Sequence, residues 1–147
     1  MFKKILVPTD GSELGRAALE RGLYLARNLG GEVTILYALE NPYEAYRSYA
    51  TQPPEHYEKQ MRDLKAKAQA LLHQLSAEAR AKGVQARALL VEAHPVPAIL
   101  EAAKAHDLVV MATHGRKGVE RVMMGSVTDK VLHNCPTPVL VVRSGTG

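Results

Sequence analysis

Residues 4–31 read KILVPTDGSELGRAALERGLYLARNLGG, and the change of period inside them sets the fold class. Lys4-Ile5-Leu6-Val7-Pro8 is a compact apolar run that turns at Thr9-Asp10-Gly11-Ser12. From residue 13 to 29 the spacing is helical, with Leu14, Ala18, Gly22, Leu25 and Leu29 on one face and Glu13, Arg16, Glu20 and Arg27 on the other. Gly30-Gly31 is the stop signal. The unit is strand, turn, amphipathic helix.

The same alternation continues outward. Val33 to Ala38 is a second strand, and Met61, Leu64, Ala68, Leu71 and Leu75 mark a helical face that ends at Gly83. Val84 to Val91 is a third strand, followed by His94-Pro95-Val96-Pro97 and a short helix through Ala105, where proline suits the first turn. Leu108 to Met111 is a fourth strand, Ser126 to Asn134 a fourth helix, and Pro138 to Val142 the last strand. Continuous β-branched and leucine runs alternating with helices require a sheet covered on both faces. The expected class is therefore α/β, a doubly wound, Rossmann-like, five-stranded parallel sheet, with residues 1–147 as one domain and no internal repeat.

Composition narrows the function. Hydrophobic residues make up 46% and charged residues 23%, and no apolar stretch approaches membrane-spanning length. The run after Lys3-Lys4 is too short for a signal peptide, so a cytoplasmic location without membrane association is expected. One cysteine, Cys135, excludes an internal disulfide and any multi-cysteine metal site. A net charge of +4, one Phe and no Trp give little basis for nucleic-acid binding.

In sheets of this kind ligands bind beyond the carboxyl ends of the strands, where the winding order reverses. The first strand ends at Thr9-Asp10 and the fourth at Ala112-Thr113-His114; if these strands are neighbours, the two polar clusters share one crevice. Over it would lie ATHGRKGVERVMMGSVTDKVL (112–132), with Gly115, Gly118 and Gly125 between strand and helix. Glycines there allow a sharp turn or a close approach to a ligand, and a helix N-terminus offers unpaired N–H groups to a phosphate. Two plainer readings stand beside this one. Ser126-x-x-Asp129 is also a capping box, and Asp10-Gly11 is a common turn pair.

The stretch LVVMATHGRKGVERVMMGSVTDKVLHNCPTPVLVV (108–142), together with the opening KKILVPTDGSELGRAAL, strongly resembles the universal stress protein family, over essentially the whole chain and least in residues 40–60. In the ATP-binding branch of that family the loop after the fourth strand runs glycine, two residues, glycine, nine residues, then glycine with serine or threonine. Gly115, the nine residues from Arg116 to Met124, and Gly125-Ser126 match, whereas Ala112 stands at the first glycine. An alanine there is harmless at negative φ and crowds the site at positive φ.

The resemblance implies ATP as ligand, with magnesium accompanying it and no metal site of the protein's own. It implies that Pro8, Thr9 and Asp10 flank the nucleoside, Asp10 accepting hydrogen bonds from adenine or ribose, and that Ala38 packs near adenine. Met111, Ala112, His114 and Gly115 would line the ribose and phosphates, while Gly125, Ser126, Val127 and Thr128 would supply N–H groups and hydroxyls to the phosphate chain. It further implies a homodimer through Val139–Val142, which Pro138 and its terminal place in the chain mark as an edge strand.

The leading expectation is thus an ATP-binding regulatory or stress-response module. Two other classes stay open: an enzyme with slow ATP hydrolysis or phosphoryl transfer, and a dimeric scaffold that no longer binds nucleotide. The chain has no Gly-x-x-x-x-Gly-Lys-[Ser/Thr] loop and no Gly-x-Gly-x-x-Gly after the first strand, which argues against a P-loop ATPase and a dinucleotide oxidoreductase. Asp10 lacks an adjacent acid, which argues against a receiver domain. No catalytic residue is assigned, since nothing in the sequence orients His114 as a base. Arg116, Lys117 and Arg121 are secondary phosphate candidates, and Tyr43, Tyr46 and Tyr49 could form a helical face or lid in residues 40–57.

Overall fold

The computed structural model describes residues 2–41, 55–114 and 123–144. In chain order it contains β1 (Lys4–Thr9), α1 (Glu13–Leu29), β2 (Glu32–Ala38), α2 (Tyr57–Ala81), β3 (Gln85–Val91), α3 (Pro95–Ala103), β4 (Leu108–His114), α4 (Met123–Asn134) and β5 (Val139–Ser144). The strands form one parallel sheet in the order β3-β2-β1-β4-β5. The chain winds outward from β1 to β3, returns across β1 to β4, and ends at β5. That reversal lies between β1 and β4, as the sequence leads one to expect.

Right-handed crossovers put α1 and α2 on one face and α3 and α4 on the other. Accordingly α1 packs on β1 and β4, α2 on β3 and β2, α3 on β2 and β1, and α4 on β4 and α3. The central strands are wholly buried: Ile5, Leu6, Val7, Val33, Ile35, Val109 and Val110 show no exposed surface. Each contributes about 1.5–3 kcal/mol on leaving water. Among the described residues, β5 has β4 on one side and no strand on the other.

Local signals in the sequence act as they should around α1. Ser12 caps the helix, its Oγ accepting from the Gly15 N–H at 3.3 Å. Gly30 ends it in the left-handed region at φ 68°, a conformation costly for a side chain. The buried face, however, runs through Leu14, Ala18, Leu19, Gly22, Leu23 and Ala26, while Leu29 is 41% exposed. The helix is turned by about one position from the expected face, because its small residues meet the sheet.

In α2 a similar correction applies, since Ala68, Leu72, Leu75, Ser76 and Ala79 are buried and Leu64 is exposed. The helix begins at Tyr57, and its first turns extend past the sheet that would otherwise bury them. Its other end is tied to α1 by Arg16 and Glu78, whose paired contacts measure 3.1 and 3.2 Å. The hydrogen bond from Arg16 holds Glu78 below the usual carboxylate range, against a smaller opposing effect of burial. A lowered folded pKa means stability present above the ordinary carboxylate range and lost as pH falls through the depressed value. Because both side chains are substantially exposed, Arg16→Ala should cost at most about 1 kcal/mol near neutrality. Urea titration should show the difference from wild type vanishing in acid; a difference independent of pH would contradict this account.

Candidate functional site

At the end of β1 three short hydrogen bonds build a rigid turn. Thr9 Oγ1 accepts from the Gly11 N–H at 3.1 Å, Asp10 Oδ1 accepts from the Ser12 N–H at 2.9 Å, and Ser12 then caps α1. Gly11 takes φ 86°, which explains a glycine after Asp10. The turn reading of Asp10 is therefore correct, and it leaves the half-buried carboxylate fixed at the mouth of the strand rather than swinging in solvent.

Beside this turn the sheet opens. β1 pairs with β2 as far as Thr9↔Tyr37, but with β4 only at Ile5↔Leu108 and Leu6↔Val109. Beyond Leu6 the two central strands diverge, and a cavity of about 300 Å³ lies at the carboxyl ends of β1 and β2. Strand alternation points Pro8, Leu36 and Ala38 to the face covered by α3, and Pro95 and Ile99 of that helix, with Val127 of α4, complete an apolar wall. Thr9, Asp10, Tyr37 and Glu40 give the rim its polar groups. An apolar slot with a few fixed polar groups is suited to a planar, partly polar ligand.

Tyr37 was not expected at the site. Burial, reinforced by the Asp10 carboxylate, pushes its phenol above the ordinary tyrosine range, so the hydroxyl stays protonated as a donor. Pro95 and Ile99 also went unforeseen, since their place depends on how the third crossover returns over β2. Pro95 carried a sequence signal only for the start of a helix.

Of the residues expected at the site, Pro8, Thr9, Asp10, Ala38 and Val127 are brought together in the cavity wall. Met111 and Ala112 are not: both are wholly buried in the core, because β4 is covered on both faces. Among the described residues positive φ occurs outside glycine only at Phe2 and His56, so Ala112 has the harmless backbone of the two alternatives. The expected helix start also needs correction. α4 begins at Met123, so Ser126 is its fourth residue and not its N-cap.

This shift changes the donors. With residues 123–125 already helical, the N–H groups of Val127 and Thr128 belong to the helix rather than to a ligand. Ser126 is exposed, Val127 forms part of the wall, and the Thr128 hydroxyl donates to the Ala112 carbonyl at 2.9 Å. Helix formation by the two methionines overrides the capping signal that points to Ser126.

His114 ends β4. Gly115, Gly118, Arg116, Lys117 and Arg121 lie outside the described residues, as do Tyr43, Tyr46, Tyr49 and Pro53-Pro54. Among the described residues no group of three or more His, Cys, Asp or Glu could hold a metal ion, and no helix is long and apolar enough to cross a membrane.

Residues 1–143 match the family described as the universal stress protein family. Universal stress protein MJ0531 of Methanocaldococcus jannaschii is 32% identical over 97% of this chain and 83% of its own length. Universal stress protein YxiE of Bacillus subtilis is 32% identical over 97% of this chain and all of its own. Among solved structures, hypothetical protein MJ0577 superposes with a TM-score of 0.79 at 26% identity, covering 100% of this chain and 99% of that one. The same fold recurs, at 23% identity and a TM-score of 0.69, in a universal stress protein in complex with cAMP, covering 98% of each chain. It recurs again in an Arabidopsis thaliana family member with AMP bound, at 18% identity and a TM-score of 0.70, over 98% of this chain and 93% of that one.

Proposed function

The chain belongs to the universal stress protein family, and we propose that it is an ATP-binding member, a dimeric regulatory or stress-response module without efficient catalysis. The cavity at the carboxyl ends of β1 and β2, closed by Pro95 and Ile99 of α3 and Val127 of α4, carries this reading. Pro8, Ala38 and Val127 would enclose the base among apolar surfaces. Asp10, held by Ser12, would accept from a ribose or base donor without a further ordering cost.

Phosphates would extend toward the N-terminal side of α4, where the positive end of the helix dipole favours an anion. His114, Gly115 and Ser126 are proposed as further ligand residues by family resemblance alone. Magnesium would enter with the phosphates. The nucleotides held by the cAMP-bound and AMP-bound members support a ligand of this class.

Calorimetric titration of nucleotide-free protein with Mg-ATP, alongside AMP and adenosine, tests the proposal. Saturable binding that strengthens with phosphate number is expected, and no binding to any of the three would sink it. Ala112→Gly should leave ATP affinity within about twofold, because the alanine backbone is unstrained. It should lower stability by about 0.5–1 kcal/mol, the entropy cost of glycine in a strand. A large gain in affinity would instead mean that the Ala112 methyl obstructs the site.

The dimer is proposed through β5. Among the described residues no strand pairs with its outer edge, where Leu140 is exposed and Val141 half-buried. Val141→Arg should give a monomer by light scattering, and a persistent dimer would put the interface elsewhere.

A further inference from the structure

Thr128 is a fully buried polar residue whose hydroxyl donates to the carbonyl of Ala112, itself wholly buried. The direction of that carbonyl explains the contact. Val109 gives its N–H to Pro138, on the β5 side, and within a strand the N–H and C=O of one residue share a side while those of the next residue face the other way. Ala112, three residues on, is therefore turned toward β1. At that height β1 has already diverged, the last pairing being Leu6↔Val109, so the ladder has no β1 acceptor or donor to offer. A buried carbonyl needs a partner, and Thr128 supplies it from across the crevice.

We infer that Thr128 is a positioning residue: its hydroxyl pins the N-terminal part of α4 to the end of β4 and so holds the first turn of the helix in register with the cavity. This rests on the nucleotide-binding reading above and changes one role within it. Thr128 acts on the ligand through the helix, not by touching phosphate. Val127, one residue earlier, forms part of the cavity wall, so this turn of α4 adjoins the place where the ligand sits.

Thr128→Val keeps the shape and removes the donor, and Thr128→Ser restores it. Two measurements are needed. In ligand-free protein, hydrogen exchange of the α4 amides should quicken in the Val variant and return in the Ser variant. By calorimetry the Val variant should lose roughly fivefold to tenfold in Mg-ATP affinity, the size of one net hydrogen bond, while adenosine, which makes no use of the helix N-terminus, changes less than about twofold.

Weaker ATP binding with unaltered exchange would mean direct phosphate contact and overturn the inference, as would equal loss of ATP and adenosine. If the wild type binds no nucleotide, the functional reading fails by itself. Exchange then still decides the pin, and unchanged exchange in the Val variant overturns it.

Discussion

Gly15→Val is expected to destabilise the protein by about 2–3 kcal/mol, the upper range for forcing volume into a packed contact. Gly15 lies in the first turn of α1 directly over the end of β1. A Cβ built there would overlap Thr9 Oγ1 and come within 3.2 Å of Thr9 Cβ and 3.3 Å of Thr9 Cα. Thr9 has nowhere to retreat, since its backbone is paired with Tyr37 and its hydroxyl holds the Gly11 N–H. The helix must lift instead.

Gly22→Ala provides the contrast. Its Cβ would meet Val7 Cγ2 at 2.7 Å, and because Val7 is branched at Cβ and wholly buried the helix must give by several tenths of an ångström. The helix propensity recovered by alanine, about 1 kcal/mol, offsets that cost in part. Urea midpoints at constant slope should therefore fall for both, and further for Gly15→Val, whose larger side chain meets the Thr9 backbone as well as its side chain. Because Thr9 and Asp10 line the cavity, the Gly15 variant should also bind nucleotide more weakly in its remaining folded fraction. A Gly15→Val midpoint within about 0.5 kcal/mol of wild type would show that α1 does not sit on β1 this closely.

Much of this was legible in the residues. Apolar runs such as Ile5-Leu6-Val7 and Val109-Val110 declare buried parallel strands, and Ser12 and Gly30 declare the ends of α1 because capping is local chemistry. What escaped is what depends on distance in the fold. Leu64 has the spacing of a buried position yet is exposed, because periodicity says nothing of where the sheet stops. Ser126 has the capping signature yet lies inside α4, where the preceding residues continue the helix.

The candidate site divides along the same line. Pro8, Thr9 and Asp10 could be placed from the end of one strand, and Ala38 from the end of its neighbour. Pro95 and Ile99 join them only through the crossover of α3, a tertiary event with no local signature. Met111 reads as a ligand contact from its place in the motif, but β4 is covered on both faces and takes it into the core. Motif spacing identifies a loop and a helix start; it does not say which side chains the sheet will bury.

Ala38→Phe should lower nucleotide affinity at least about 100-fold, equivalent to about 2.7 kcal/mol, while leaving the fold as stable or more so. Ala38 ends β2 with its side chain on the α3 face of the sheet, in the wall shared with Pro8, Leu36, Pro95 and Ile99. A phenyl group there would enter a space of about 300 Å³ that is mostly apolar, and a planar base could not occupy it at the same time. Filling an apolar cavity buries surface without stranding a polar group, so the thermal midpoint should hold or rise. The opposed signs make the test discriminating: a damaged fold would lose binding and stability together, whereas a blocked site loses binding alone. Calorimetry and thermal unfolding of the same preparation read both, and unimpaired binding would mean that the base lies outside this cavity.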